Sequence, residues 1–150
     1  MAVVTSQSAL ESRSASVLEA VASAAFALGA LMLAAEAAVH IQQYVEIFHE
    51  VNVIGPLFLA NAATSLAAVA GLAYRRTRQP AALAGVGISV IALGSLVVSY
   101  GQGLFGWHEA GLRSPVAVAA IAEVGAVILL STALALDGVL SPKAPDGARA

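Results

Sequence analysis

The sequence predicts an all-α fold, a four-helix transmembrane bundle running up-down-up-down with both termini in the cytoplasm and an amphipathic outer segment after the first span. Three observations carry this. Hydrophobic residues make up 59% of the 150-residue chain and charged residues only 11%, against ~25% charged in an ordinary soluble domain. The apolar residues gather into four segments of more than 20 residues each, and ~20 residues at 1.5 Å rise cross a hydrocarbon core of ~30 Å. The basic residues fall almost entirely on one side of those segments. The composition excludes a soluble globular domain, a disordered chain and a nucleic-acid binder. Cysteine is absent, which removes disulfides, thiolate metal sites and cysteine redox chemistry.

Residues 1–16 are polar and serine-rich and are expected to form a flexible cytoplasmic tail that becomes helical near Ser14. The weak positive lead and the long polar stretch argue against a cleaved signal peptide. Span one covers 17–39. Residues 40–50 then place Ile41, Tyr44, Val45 and Phe48 at i, i+3, i+4, i+7, with Gln42, Gln43, Glu46, His49 and Glu50 on the other faces. That pattern is an amphipathic helix, either extending span one or lying flat on the membrane. Span two covers 51–74 without a charge. Its Gly55-Pro56 pair suits a first helical turn, where proline's missing N–H has no partner anyway, so residues 51–54 lead in. Span three covers 80–104, also uncharged, and span four covers 114–136 with one charge, Glu123. Residues 137–150 hold two prolines and mixed charges and are expected to form a second flexible cytoplasmic tail.

Backbone in lipid must satisfy its own hydrogen bonds, and no period-2 alternation points to a barrel, so the spans are helices. Short links make consecutive helices antiparallel neighbours. Arg13, Arg75, Arg76, Arg78, Lys143 and Arg149 lie on one side and Arg113 alone on the other, which places both termini and the 75–78 link in the cytoplasm. Small residues recur every four positions: Ala30, Ala34 and Ala38; Ala63, Ala67 and Gly71; Ala81, Gly85 and Ser89; Ala122 and Ala126. Such stripes let helices approach closely in lipid and predict a narrow bundle without a large internal pocket.

The polar residues locate the candidate sites. All three histidines (His40, His49, His108) and Glu46, Glu50 and Glu109 fall on the predicted outer side, with Glu36 about a turn inside it. Glu36 and His40 are i, i+4 and share a helix face. Glu46 and His49 form one Glu-x-x-His, the spacing that di-iron bundles use twice. A site of His40, His49 and His108 with Glu46 would suit Zn or Cu through imidazole, and two of the histidines would serve a haem. Solvated surface histidines are the plainer expectation.

Glu123 lies about 13–14 Å from the start of span four, near mid-membrane. Asn61 and Ser95 lie at similar depth on spans two and three. An ionisable residue at that depth faces the bundle interior and is a functional hypothesis by default. The competing reading is a protonated Glu123 hydrogen-bonded to Asn61 or a serine, fixing helix register. Glu36 extends a polar line from Glu123 outward, and no matching acidic line reaches the cytoplasmic side. No nucleophile elbow, catalytic-triad spacing or phosphate loop is present, and Gly85-x-Gly87 sits inside a span as a packing feature.

The run 55–63 (Gly-Pro-Leu-Phe-Leu-Ala-Asn-Ala-Ala) opening span two, His40 and Tyr44 after span one, and the Gly-Leu-Phe-Gly run 103–106 followed by Glu109 and Glu123 resemble small bacterial four-helix membrane proteins of the DoxX-like kind. The likeness spans roughly 17–136. It implies the four-span fold and a bacterial inner membrane. Some members of that family are linked to quinone-coupled sulfur oxidation, but none of their catalytic residues finds a match here, so no activity is carried over. Three functions fit the sequence. The leading one is a non-enzymatic accessory or assembly component of the lipid bilayer, packing against other membrane subunits or as a homo-oligomer. The alternatives are an outward-facing metal- or haem-binding redox protein and a small proton-coupled transporter using Glu123.

Overall fold

Four helices, each long and apolar enough to cross a membrane, account for nearly all of the computed structural model, which describes residues 2–140, with side chains from residue 12 onward. They are α1 (Ala2–Gln43), α2 (Ile54–Leu72), α3 (Arg78–Gly101) and α4 (Ser114–Leu140). No β-strand occurs among the described residues. The surface carries large apolar side chains such as Leu31, Val97 and Ile121, as helices facing lipid require. The chain is thus a multi-pass membrane protein.

Helix α1 begins at Ala2, earlier than the position near Ser14 where the sequence puts the onset of helix. Residues 1–28 contain neither glycine nor proline, so nothing in the sequence breaks the helix before span one. At 1.5 Å per residue its 42 residues reach about 63 Å, roughly twice the hydrocarbon thickness. At its other end α1 continues into a π-helical turn, Tyr44–Phe48. The amphipathic segment therefore extends span one. Its burial follows the pattern at Phe48, which is buried, and reverses it at Gln43, buried, and at Ile41 and Val45, exposed.

Helix α2 starts at Ile54, as the Gly55-Pro56 signal predicts. Val53 before it has φ 71°, a costly conformation for a β-branched residue. Gly55 is required by close approach, because a Cβ there would run into the Phe48 carbonyl oxygen. Thr77 Oγ1 donates to the Gly71 carbonyl (2.7 Å) and Arg78 Nε to that of Leu72 (3.3 Å), satisfying C-terminal carbonyls of α2 that have no helical partner. Between α3 and α4, residues 104–107 form a tight turn. Leu104 and Trp107 exchange two backbone hydrogen bonds of 2.8 Å, and Phe105 and Gly106 both have positive φ, the signature of a type I′ turn. Helix α4 runs on through Asp137 to Leu140. The rest of the second tail lies outside the described residues.

The helices form a ring. Each packs on the next, α1 packs most extensively on α4, and the diagonals barely meet. The apolar core (Phe26, Leu33, Leu72, Ala82, Leu130 and neighbouring alanines) occupies the half nearer the basic 75–78 link. The half toward the acidic end, with the π turn and the 102–113 link, holds the polar interior. The expected small-residue stripes hold on α3 and α4, where Gly85, Ser89, Ala122 and Ala126 are buried. On α2 they do not: Ala63 and Ala67 face outward, and Asn61, Ala62, Ser65 and Ala68 form the packed face.

Candidate functional site

Three ionisable side chains converge in the polar half. Glu36 and His40 lie one turn apart on α1, and Glu123 projects from α4. Their relative exposures are 0%, 8% and 3%. One ligand atom from each lies within 4.8 Å of the others. His40 Nδ1–H donates to the Glu36 backbone carbonyl (2.9 Å). A carbonyl can only accept, so the proton sits on Nδ1 and Nε2 keeps a free lone pair. That nitrogen lies 3.9 Å from Glu123 Oε1. Ser89 on α3 donates its hydroxyl to Glu36 Oε2 (2.7 Å). Glu36 Oε1 and Glu123 Oε2 are buried without a hydrogen-bond partner.

A cavity of about 230 Å³ extends from this cluster toward the acidic end. His40 and Glu123 form part of its wall, together with Asn61 and Ser95. This corrects the expectation of a narrow bundle without a large internal pocket. A close-packed seam runs through Gly29, Leu33, Gly85 and Leu130, nearer the basic end. Arg113 stands at the opposite limit of the cavity. Its guanidinium donates twice to Glu109 (Nε to Oε1 and Nη2 to Oε2, both 3.0 Å) and once to Gln43 Oε1 (3.3 Å). The hydrogen bonds to Glu109 hold Arg113 above its ordinary pKa, with partial burial pulling the other way. An aromatic chain links the two ends, with ring centroids 4.9 Å apart for His40–Phe58, 4.4 Å for Phe58–Phe48 and 4.9 Å for Phe48–Trp107.

The structure thus joins Glu36, His40 and Glu123. It does not assemble the three histidines. His49 is at the surface 3.7 Å from Glu50, His108 is exposed against Gly103, and Glu46 is exposed and accepts from Gln42. Among the described residues the cluster of potential ligands is Glu36, His40 and Glu123. With one histidine inside, a two-histidine haem lacks its second axial ligand. Asn61 accepts from Ser65 (3.4 Å) rather than bonding Glu123, and Ser95 turns its hydroxyl back to the Ile91 carbonyl. The expected Glu123–Asn61 lock is therefore not formed. Sequence reasoning passed over Ser89, Gln43 and Arg113 as site residues. Gln43 follows Glu36 by seven and His40 by three, so helical spacing alone puts it on their face.

No protein-family model, curated protein or solved structure matches this chain.

Proposed function

We propose that this protein binds a divalent transition-metal ion inside the membrane, held by Glu36, His40 and Glu123. The carrying observation is the cluster itself, with three buried ligand atoms within 4.8 Å and an unpartnered oxygen on each carboxylate. Two carboxylates in a low-dielectric interior are costly unless their charge is offset. A divalent ion offsets both, with neutral imidazole as the third ligand. Bonds of ~2.0–2.2 Å set tetrahedral neighbours roughly 3.4 Å apart, so small side-chain movements close the site. Oxygen and imidazole ligands suit a borderline ion such as Zn, Mn or Fe. The Nδ1–H bond to a backbone carbonyl is the usual support of a metal-binding histidine. Three protein ligands beside a cavity leave a coordination position free, as in reactive rather than purely structural sites.

The protein is read as a four-span protein of a bacterial cell membrane, up-down-up-down, with both termini cytoplasmic. The pairings Gly29 with Leu130 and Gly125 with Met32 support antiparallel α1 and α4, and the basic 75–78 link supports the orientation. Metal analysis of detergent-purified protein equilibrated with Zn2+ or Mn2+ tests the site. One equivalent is expected for the native chain and for His49→Ala and His108→Ala, with loss in Glu36→Gln, His40→Ala and Glu123→Gln. No metal in the native protein, or full binding by Glu123→Gln, overturns the reading.

A further inference from the structure

The cavity has two chemically different ends. Beside the cluster it is lined by carboxylate and imidazole, and the middle is apolar, walled by Leu57, Phe58, Ile88 and Ile91. At the acidic end it offers donors. Gln43 is 3% exposed, and its Nε2, like the indole Nε1 of Trp107, is buried without an acceptor. Buried N–H groups are nearly always paired, so two orphans on one cavity wall mark the place of an acceptor. The Gln43 carbonyl is already held by Arg113, which fixes the amide with its NH2 group free.

The cavity is also open at the side. Leu57 on α2 and Ile91 on α3 line it, yet they are 46% and 64% exposed on the outside of the ring. The gap between the acidic halves of α2 and α3 therefore faces lipid. Its volume of about 230 Å³ is half again the ~150 Å³ that accepts benzene in an engineered protein interior.

We infer that this cavity takes a small apolar molecule carrying a carbonyl acceptor, which enters sideways from the bilayer between α2 and α3 and is hydrogen-bonded by Gln43 Nε2 and Trp107 Nε1. The inference uses the donors and the lateral gap, not the carboxylates, and stands whether or not the cluster holds a metal. Such a carbonyl has two sources: the ester of a bilayer lipid, or a free molecule dissolved in the membrane.

Trp107 is the single tryptophan of the chain, so its emission reports on the cavity directly. The probe is acetophenone, with α-methylstyrene as its planar hydrocarbon counterpart, titrated into the full-length protein in ester-lipid and in ether-lipid vesicles. Saturable quenching by acetophenone is expected, with α-methylstyrene binding about tenfold more weakly, as loss of two net hydrogen bonds implies. Gln43→Leu narrows that difference. Ala92→Phe fills the cavity from α3 and abolishes saturation. Competition in ester but not ether vesicles assigns the acceptor to lipid, and equal saturation in both assigns it to a free molecule. Linear quenching, identical in the native protein and Ala92→Phe, overturns the proposal, as does equal affinity for the two probes.

Discussion

Ser89 Oγ donates to the Glu36 carboxylate from a helix diagonal to α1. A serine on an apolar helix reads as a small packing residue, and its role emerges only once α3 is placed against α1. Ser89→Ala should leave the helices intact and lower metal affinity by about 10–100-fold, the usual cost of losing a ligand's hydrogen-bond support; titration with Zn2+ beside Glu36→Gln measures it. Val53 gives a prediction of opposite sign. Its φ of 71° and ψ of −54°, with Ile54 N–H donating to the Asn52 carbonyl (2.9 Å), make a γ-turn of the rare, strained positive-φ kind, costing ~1–3 kcal/mol. Val53→Gly should therefore stabilise the fold by about 1 kcal/mol after glycine's own entropic cost, read as a raised Tm in detergent. Arg113 supplies a pH prediction. Its folded pKa is raised by Glu109, so the guanidinium's contribution is complete below its unfolded pKa and is lost only as pH rises through the still higher folded value. Protonation of Arg113 should thus add no pH dependence to Tm between pH 6 and 9, and the Tm gap between native protein and Arg113→Met should stay constant as pH rises from 7 to 9.

Among the elements, the spans were legible because length and apolarity suffice to define them, and the Gly55-Pro56 break fell where proline chemistry puts it. The packed faces were less legible. In water an apolar stripe marks the buried side. In lipid, apolar residues serve both sides, and the polar ones mark the interior. That is why Gln43 is buried while Ile41 and Val45 of the same amphipathic segment face out. Glycine contacts give the sharpest test of the seam. A Cβ at Gly85 would lie 2.8 Å from Leu33 Cδ1 and 2.9 Å from Leu130 Cδ1, whereas one at Gly87 meets nothing within 4 Å. Gly85→Ala should cost roughly 1–3 kcal/mol by overpacking, while Gly87→Ala should be neutral or slightly stabilising through helix propensity. Parallel thermal melts of the two variants decide it.

For the whole molecule, the proposed orientation rests on the basic residues. Reporter fusions at both termini should read as cytoplasmic, and replacing Arg75, Arg76 and Arg78 with glutamine should yield mixed or inverted orientation. The candidate site was half legible. The i, i+4 pair Glu36 and His40 and the depth of Glu123 pointed to it, because helical geometry is fixed. The histidine trio does not converge, because a shared membrane end brings residues to one level without bringing them to one point.

The ring has one further property. Four rods joined along their edges, with little contact across either diagonal, make a frame that can skew from square to rhombus without breaking an edge. Two adjacent ties cross the α1–α3 diagonal, the close approach of Leu33 to Gly85 and the Ser89–Glu36 hydrogen bond. They act as the strut of that frame. The bond that aims Glu36 also sets the cross-section of the space beside it: slackening the strut changes that cross-section while the α2–α3 edge keeps its length.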